Sequence, residues 1–297
     1  MAVNKHNNFN RIINLSFLVN KGGDKGEYKK ISNLDIKCPL RGRKPSIEIT
    51  GSFSPDDCLP PFNVTVKNLY MDIPESQYPQ IEVEAGYENS LQTFRGTILS
   101  MYQESPGPES TTVIQCYTGT TKTWLDEIVT LQLDEGFKLT DALQKIADSM
   151  GLRTVYSDSV KQMVSKTSIQ FEGKPQDAIA KLKTMFSVEK LIVTVRTDEL
   201  RAYSQNDTKG LNDVELKFLS SPPQQAAGSN GIVYATLVAP WIPTLRPGDK
   251  VTYNAWQFMK AFSVSKQEKA SIIVNSIQFH FGTTGSVNQM TIQGYAV

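Results

Sequence analysis

A chain of 297 residues with 39% hydrophobic content has enough apolar material for an ordinary core, and at roughly 150 residues per domain it is expected to hold about two domains. Lys and Arg total 31 against 30 Asp and Glu, so the formal charge of +1 excludes a global pull on nucleic acid or membrane. No run of about 18 apolar residues is present, which excludes a spanning helix, and the polar stretch 1–11 lacks the apolar centre of a secretory signal.

The first segment, residues 8–119, reads as strands at 12–19, 47–53, 63–71, 80–87, 93–102 and 111–117. In 80–87, Ile81, Val83, Ala85 and Tyr87 alternate with Glu82 and Glu84, the pattern of a half-buried strand. Phe62, Val64, Val66 and Tyr70 share a face, with Asn68 as the exception. Gly86 and Gly96 interrupt strand patterns, which points to a bulge or a close backbone approach. Ser105-Pro-Gly-Pro108 reads as a hairpin loop, and Lys21-Gly-Gly-Asp-Lys-Gly26 as a loop lacking phosphate-loop spacing.

The second segment, residues 120–204, changes period. Leu139, Leu143, Ile146, Ala147 and Met150 line one helical face, with Thr140 as a cap, Asp141 in the first turn and Gly151 after the end. A second helix starts near Pro175 and carries Ala178, Ile179, Leu182, Met185 and Phe186. Strands at 129–133, 153–156, 167–171, 191–195 and 200–203 flank the helices, which suggests a small sheet with helices on one face.

The third segment, residues 213–297, returns to period two. Val233, Ala235, Leu237 and Ala239 alternate, as do Ile273, Ile277, Phe279 and Phe281 with Asn275 as the exception; 289–295 is a last strand. Arg246-Pro-Gly-Asp249 is a tight turn in which Gly248 can take φ > 0 and Asp249 can bond the local backbone. Residues 206–212 read as a linker and 224–231 as a flexible loop. The expected fold class is therefore β-rich α+β: two β-barrel-like modules with a small α/β module between them.

Catalytic constellations are scarce. His6 lies in the polar start and His280 faces away from the Phe279 and Phe281 side, so neither supports a nucleophile–base pair. Cys38, Cys58 and Cys116 are odd in number, far apart and without C-x-x-C; they read as free thiols, with a Cys38–Cys58 bridge as the alternative. The adjacent pairs Asp56-Asp57 and Asp134-Glu135 read as solvated turns, so no metal or cofactor is expected and no enzyme.

Candidate contact residues stand out instead. Arg41, Arg43 and Lys44 form a basic cluster that reads either as a solvated loop tip or as a contact for an acidic partner. Trp241, held between Pro240 and Pro243, reads equally as a rigid interface anchor or as a Trp closing one end of the barrel. With Arg246 and Asp249 of the tight turn, these are the candidate interface; Trp241→Ala and charge reversal at Arg246 are expected to weaken assembly without unfolding the chain. Trp256 and Phe258 carry the same ambiguity, and Trp124 reads as core.

The order of Asn68-Leu69, Ala85-Gly-Tyr87 and Phe94-Arg-Gly-Thr-Ile98 resembles the first barrel of phage tail baseplate hub proteins, where an Asn-Leu strand, an Ala-Gly-Tyr strand and a Phe-x-Gly-x-Ile strand follow one another. The middle block resembles the small ring-packing N-domain modules of bacterial secretins. The hub resemblance implies a structural part of the virion tail, made in the host cytoplasm: a trimer whose two barrels per chain form a pseudo-six-fold ring. Such a ring joins a six-fold tail tube to a three-fold central spike. It also meets other baseplate proteins and passes DNA without specific binding, with no cofactor and no membrane. A cell-wall or polysaccharide-binding module is the alternative reading, and a wall hydrolase a third.

Overall fold

The computed structural model describes residues 11–19, 27–32, 46–54, 61–67, 80–87, 90–104, 110–118, 127–195, 199–205, 207, 209–227, 233–254, 269–283 and 288–297. The first segment contributes Arg11–Val19 (β1), Glu27–Ser32 (β2), Ser46–Phe53 (β3), Pro61–Lys67 (β4), Gln80–Tyr87 (β5), Ser90–Gln103 (β6) and Thr111–Thr118 (β7). The middle segment contributes Val129–Leu133 (β8), Leu139–Ser149 (α1), Arg153–Tyr156 (β9), Asp158–Gln162 (α2), Ile169–Gly173 (β10), Pro175–Met185 (α3), Leu191–Val195 (β11) and Glu199–Ser204 (β12). The last segment contributes Asp213–Leu216 (β13), Gln224–Ala227 (β14), Val233–Ala239 (β15), Lys250–Asn254 (β16), Lys269–Gly282 (β17) and Asn288–Ala296 (β18).

Alternation decides which side chains go inward. Ile81, Val83 and Ala85 of β5 are buried while Glu82 and Glu84 stay half-buried, as the sequence pattern requires. The two β segments, expected as separate modules, share one sheet. Its order is β14-β15-β18-β17-β3-β4-β7-β6-β5-β1-β2, with β13 and β16 attached beside β17. The seam is β17 against β3, antiparallel, with Phe279 opposite Gly51. One buried cluster crosses that seam, from Ile13 to Ile292. Alternation reports which face a strand buries and is silent on which strand lies beside it, so the joining of the two segments was not legible in the pattern.

The two longest strands each carry a bulge. In β6 the register shifts between Ile98 and Ser100, and in β17 between Val274 and Ser276. The second falls at Asn275, the residue that broke the alternation. Because of it Ile272 and Val274, rather than Ile273, join the same core as Ile277, Phe279 and Phe281. Gly96 is instead a close approach: a Cβ there would lie 2.6 Å from the Tyr117 carbonyl oxygen and 2.7 Å from the Phe62 ring. The hairpin joining β6 to β7 is present in its flanking strands, while 105–109 lies outside the described residues.

The middle module has a core of its own. It is built on two small sheets rather than the expected one: β8 antiparallel to β10, and β12 parallel to β9 and antiparallel to β11. The apolar face of α1 buries Leu139, Ala142, Leu143, Ile146 and Ala147. Its cap residue is Lys138, without a side-chain bond, and Thr140 lies inside the first turn; Gly151 ends it at φ 64°. Among the described residues no helix is long and apolar enough to cross a membrane.

Candidate functional site

The tight turn after β15 packs against the middle module. Gly248 takes φ 89°, and a Cβ there would meet the Tyr203 ring at 2.8 Å, so glycine is required for both conformation and space. The turn is tied on both sides: Gly248 N–H donates to the Val274 carbonyl at 2.7 Å, and Val274 N–H to the Asp249 carbonyl at 2.9 Å. The Asp249 carboxylate accepts the Arg246 backbone N–H through Oδ2 at 2.8 Å, the local bond expected of an Asp in this position.

Through its other oxygen Asp249 reaches into the middle module. Arg201 of β12 donates from Nη1 to Asp249 Oδ1 at 2.7 Å and from Nε to Glu199 Oε1 at 2.8 Å; Arg153 of β9 donates from Nη2 to Glu199 Oε2, also at 2.8 Å. Arg201 Nη1 also meets the Pro247 carbonyl at 3.3 Å. Arg201, Glu199 and Asp249 are all buried. Burial alone would lower Arg201, but the Asp249 and Glu199 charges raise it above the usual guanidinium value. Burial pushes the Asp249 carboxyl up, opposed by the Arg201 guanidinium and the Arg246 N–H. This cluster is the ionic joint between the middle module and the β core.

Arg246 sits at the edge of the joint. Its Nη1 donates to the Pro243 carbonyl at 2.6 Å, the Leu245 carbonyl at 2.9 Å and Gln92 Oε1 at 3.3 Å. Burial pushes its guanidinium down to about 10, with Asp249 opposing and Arg153 adding to the shift. It lines an open groove of about 380 Å³ between β6 and the turn, walled also by Leu91, Gln92, Thr93, Arg95, Pro243 and Thr244.

Trp241 is 2% exposed. Its ring lies 4.4 Å from Phe281, 5.5 Å from Phe279 and 6.1 Å from Phe94, centroid to centroid. Phe94 belongs to the first β segment and Phe279 and Phe281 to the second, so Trp241 closes the shared core. Its expected role as a surface anchor is corrected, because the indole is consumed by the chain's own packing. Asp249, 0% exposed, is corrected likewise: its carboxylate is held inside the chain. Arg246, expected on a free surface, is half-buried, with part of its guanidinium anchored to the turn. Arg41, Arg43 and Lys44 lie outside the described residues, as do Cys38, Cys58, Trp124, Trp256 and Phe258.

His280 faces outward as alternation implies, with Nε2 3.3 Å from Glu48 Oε2 on β3. Cys116 is a buried free thiol, pushed up by burial. The outward phase of β6 and β7 exposes Leu91, Leu99, Tyr102 and Tyr117, which sequence reading passed over; the signal was their position opposite the buried phase of the same strands. In the middle module the exposed large apolar residues among those described are Ile128, Val164 and Val188, none of them aromatic.

The whole chain is similar in fold to solved tail proteins. It matches the 43 kDa tail protein of prophage MuSo2 from Shewanella oneidensis over 97% of each chain, at TM-score 0.56 and 11% identity. It matches a tail protein from Neisseria meningitidis MC58 over 97% of its own length and 96% of the other, at TM-score 0.58 and 8% identity. A third likeness, over 88% and 77% at TM-score 0.56 and 11% identity, is to the E. coli c3393 protein, described as a component of the type VI secretion system with structural similarity to T4 bacteriophage tail proteins gp27 and gp5. No curated protein matches the chain significantly. Residues 59–207, half of the chain, match the family described as baseplate hub gp41, and the chain belongs to that family.

Proposed function

We propose that the chain is a non-catalytic building block of a phage-type baseplate hub, located in the virion tail. Copies of it assemble into a ring between a six-fold tail tube and a three-fold central spike. Three copies, each bringing two β units, give six quasi-equivalent positions, and DNA passes through the ring without specific binding. The family match over residues 59–207 carries the reading. One internal likeness supports two related β units in one chain: β6 and β17 are each 14 residues long, and each is bulged and paired along its length with more than one strand.

A ring also suits the exposed surface. Among the described residues the path of the large sheet ends on β14 and β2, and Gln224, Gln225 and Ala226 of β14 are exposed. Edges of this kind are protected when neighbouring subunits cover them. An obligate interface of this type buries roughly 2,000 Å² or more. Light scattering over a wide concentration range tests the reading. A mass of three chains, approached as concentration rises, is the expected result; a monomer at every concentration would remove self-assembly from the account.

A further inference from the structure

Three guanidinium groups meet two carboxylates at the ionic joint, and the pairing leaves one cation over. Arg201 takes Asp249 and shares Glu199 with Arg153. Arg246 has no carboxylate at ion-pair distance among the described residues. Its Nη1 is occupied by two carbonyls and Gln92, while Nε and Nη2 have no acceptor there. The neighbouring cation in the groove, Arg95, is paired with Glu82 at 2.5 Å. The uncompensated charge of the groove therefore resides on Arg246, on a guanidinium fixed in place through one nitrogen.

A guanidinium offering its Nε and Nη2 together presents the planar fork that a carboxylate accepts through both oxygens. Half-burial strengthens such a pair, because water competes less for the donors. The exposed Thr93 and Thr244 are neutral, and Arg95 and Arg246 are the charged residues of the groove lining. The groove is open and runs beside a strand, a shape suited to a passing segment of chain rather than to an enclosed small molecule. We propose that this groove binds an acidic peptide segment of a partner protein, with one Asp or Glu carboxylate seated on the free edge of the Arg246 guanidinium. The inference goes beyond the hub reading, because the site belongs to the isolated chain and holds whatever the number of copies in a ring.

The test is titration of the isotope-labelled full chain with a deca-glutamate peptide, and separately with deca-glutamine, following the Arg246 Nε–H resonance by NMR. The resonance is expected to shift saturably with deca-glutamate and at least about tenfold more weakly with deca-glutamine, the ratio one well-formed ion pair provides. Thr244→Glu places a competing carboxylate at the mouth without touching the bonds of Nη1. It should weaken deca-glutamate binding by about tenfold or more while leaving the circular dichroism spectrum unchanged. An Arg246 resonance that stays still up to millimolar peptide, that moves equally with both peptides, or that responds equally in Thr244→Glu would overturn the proposal. Because solution mass is not the readout, failure here is distinct from failure of the trimer.

Discussion

Asp249→Ala removes the carboxylate that pairs the tight turn with Arg201 of the middle module. The substitution deletes the 2.7 Å bond from Arg201 Nη1 and the 2.8 Å bond from the Arg246 backbone N–H, and both donors are left where water is scarce. A charge-assisted bond is worth about 1.5–3 kcal/mol, and breaking a buried pair by removing one partner costs about 3–5 kcal/mol. Arg201 keeps Glu199, which argues for the lower half of that range. Thermal unfolding should then fall by roughly 6–8 °C, at about 2 °C per kcal/mol for a chain of this size. Asp249→Leu combined with Arg201→Met removes the buried charge together with its partner and should recover about 2 kcal/mol relative to the sum of the single changes. The Arg153–Glu199 pair survives in that double variant. The assay is chemical and thermal unfolding of the parent chain, Asp249→Ala, Asp249→Leu, Arg201→Met and the Leu/Met double variant. An Asp249→Ala cost below about 1 kcal/mol, or strict additivity in the cycle, would refute the joint as a stabilising element.

Three further outcomes are expected. Trp241→Ala should cost about 3–5 kcal/mol in unfolding free energy, because the ring it removes is stacked on Phe279 and packed at a tilt against Phe281 in the core; a stable variant with altered assembly alone would restore the surface-anchor reading. Tyr117→Glu places a charge on the exposed outward phase of β7. It should change stability by no more than about 0.5 kcal/mol while lowering the concentration-dependent mass in light scattering; an unchanged mass would remove this patch from the interface. For Glu48, partial burial would raise the carboxyl, but the Lys67 ammonium at 2.6 Å and His280 hold it below the ordinary value. A depressed folded value means the contribution is present at neutral pH and lost as pH falls below the usual carboxylate range. Glu48→Gln should therefore cost under about 1 kcal/mol at pH 7 and nothing at pH 2, and a cost that persists at pH 2 would contradict the sign.

Strand positions with strong alternation were legible. The run Ile81, Val83, Ala85 and the run Ile277, Phe279, Phe281 went inward as read, and the Asn275 exception marked a real bulge. Short polar strands were not legible. Gln224–Ala227, expected as part of a flexible loop, forms β14, because Gln224, Gln225 and Ala226 are all exposed and carry no periodic signal, and its strand character comes from pairing with β15. Lys250–Asn254 does alternate, with Val251 and Tyr253 inward, but two apolar positions in five residues are too short a pattern to mark a strand. At the site, the Pro-flanked position of Trp241 was visible but its direction was not, since a Pro-restricted ring serves a core as well as a surface. Asp249 was recognised as a turn residue, yet its pairing with Arg201, 48 positions away, depends on how the middle module docks and leaves no local trace.

The most direct test of the central claim is electron cryomicroscopy of tail particles containing this chain, reconstructed without imposed symmetry. The account predicts three copies in a ring at the junction of tube and spike, each contributing two β units to a quasi-six-fold layer. Density for the chain elsewhere in the particle, or a copy number at that junction that is not three, would contradict it.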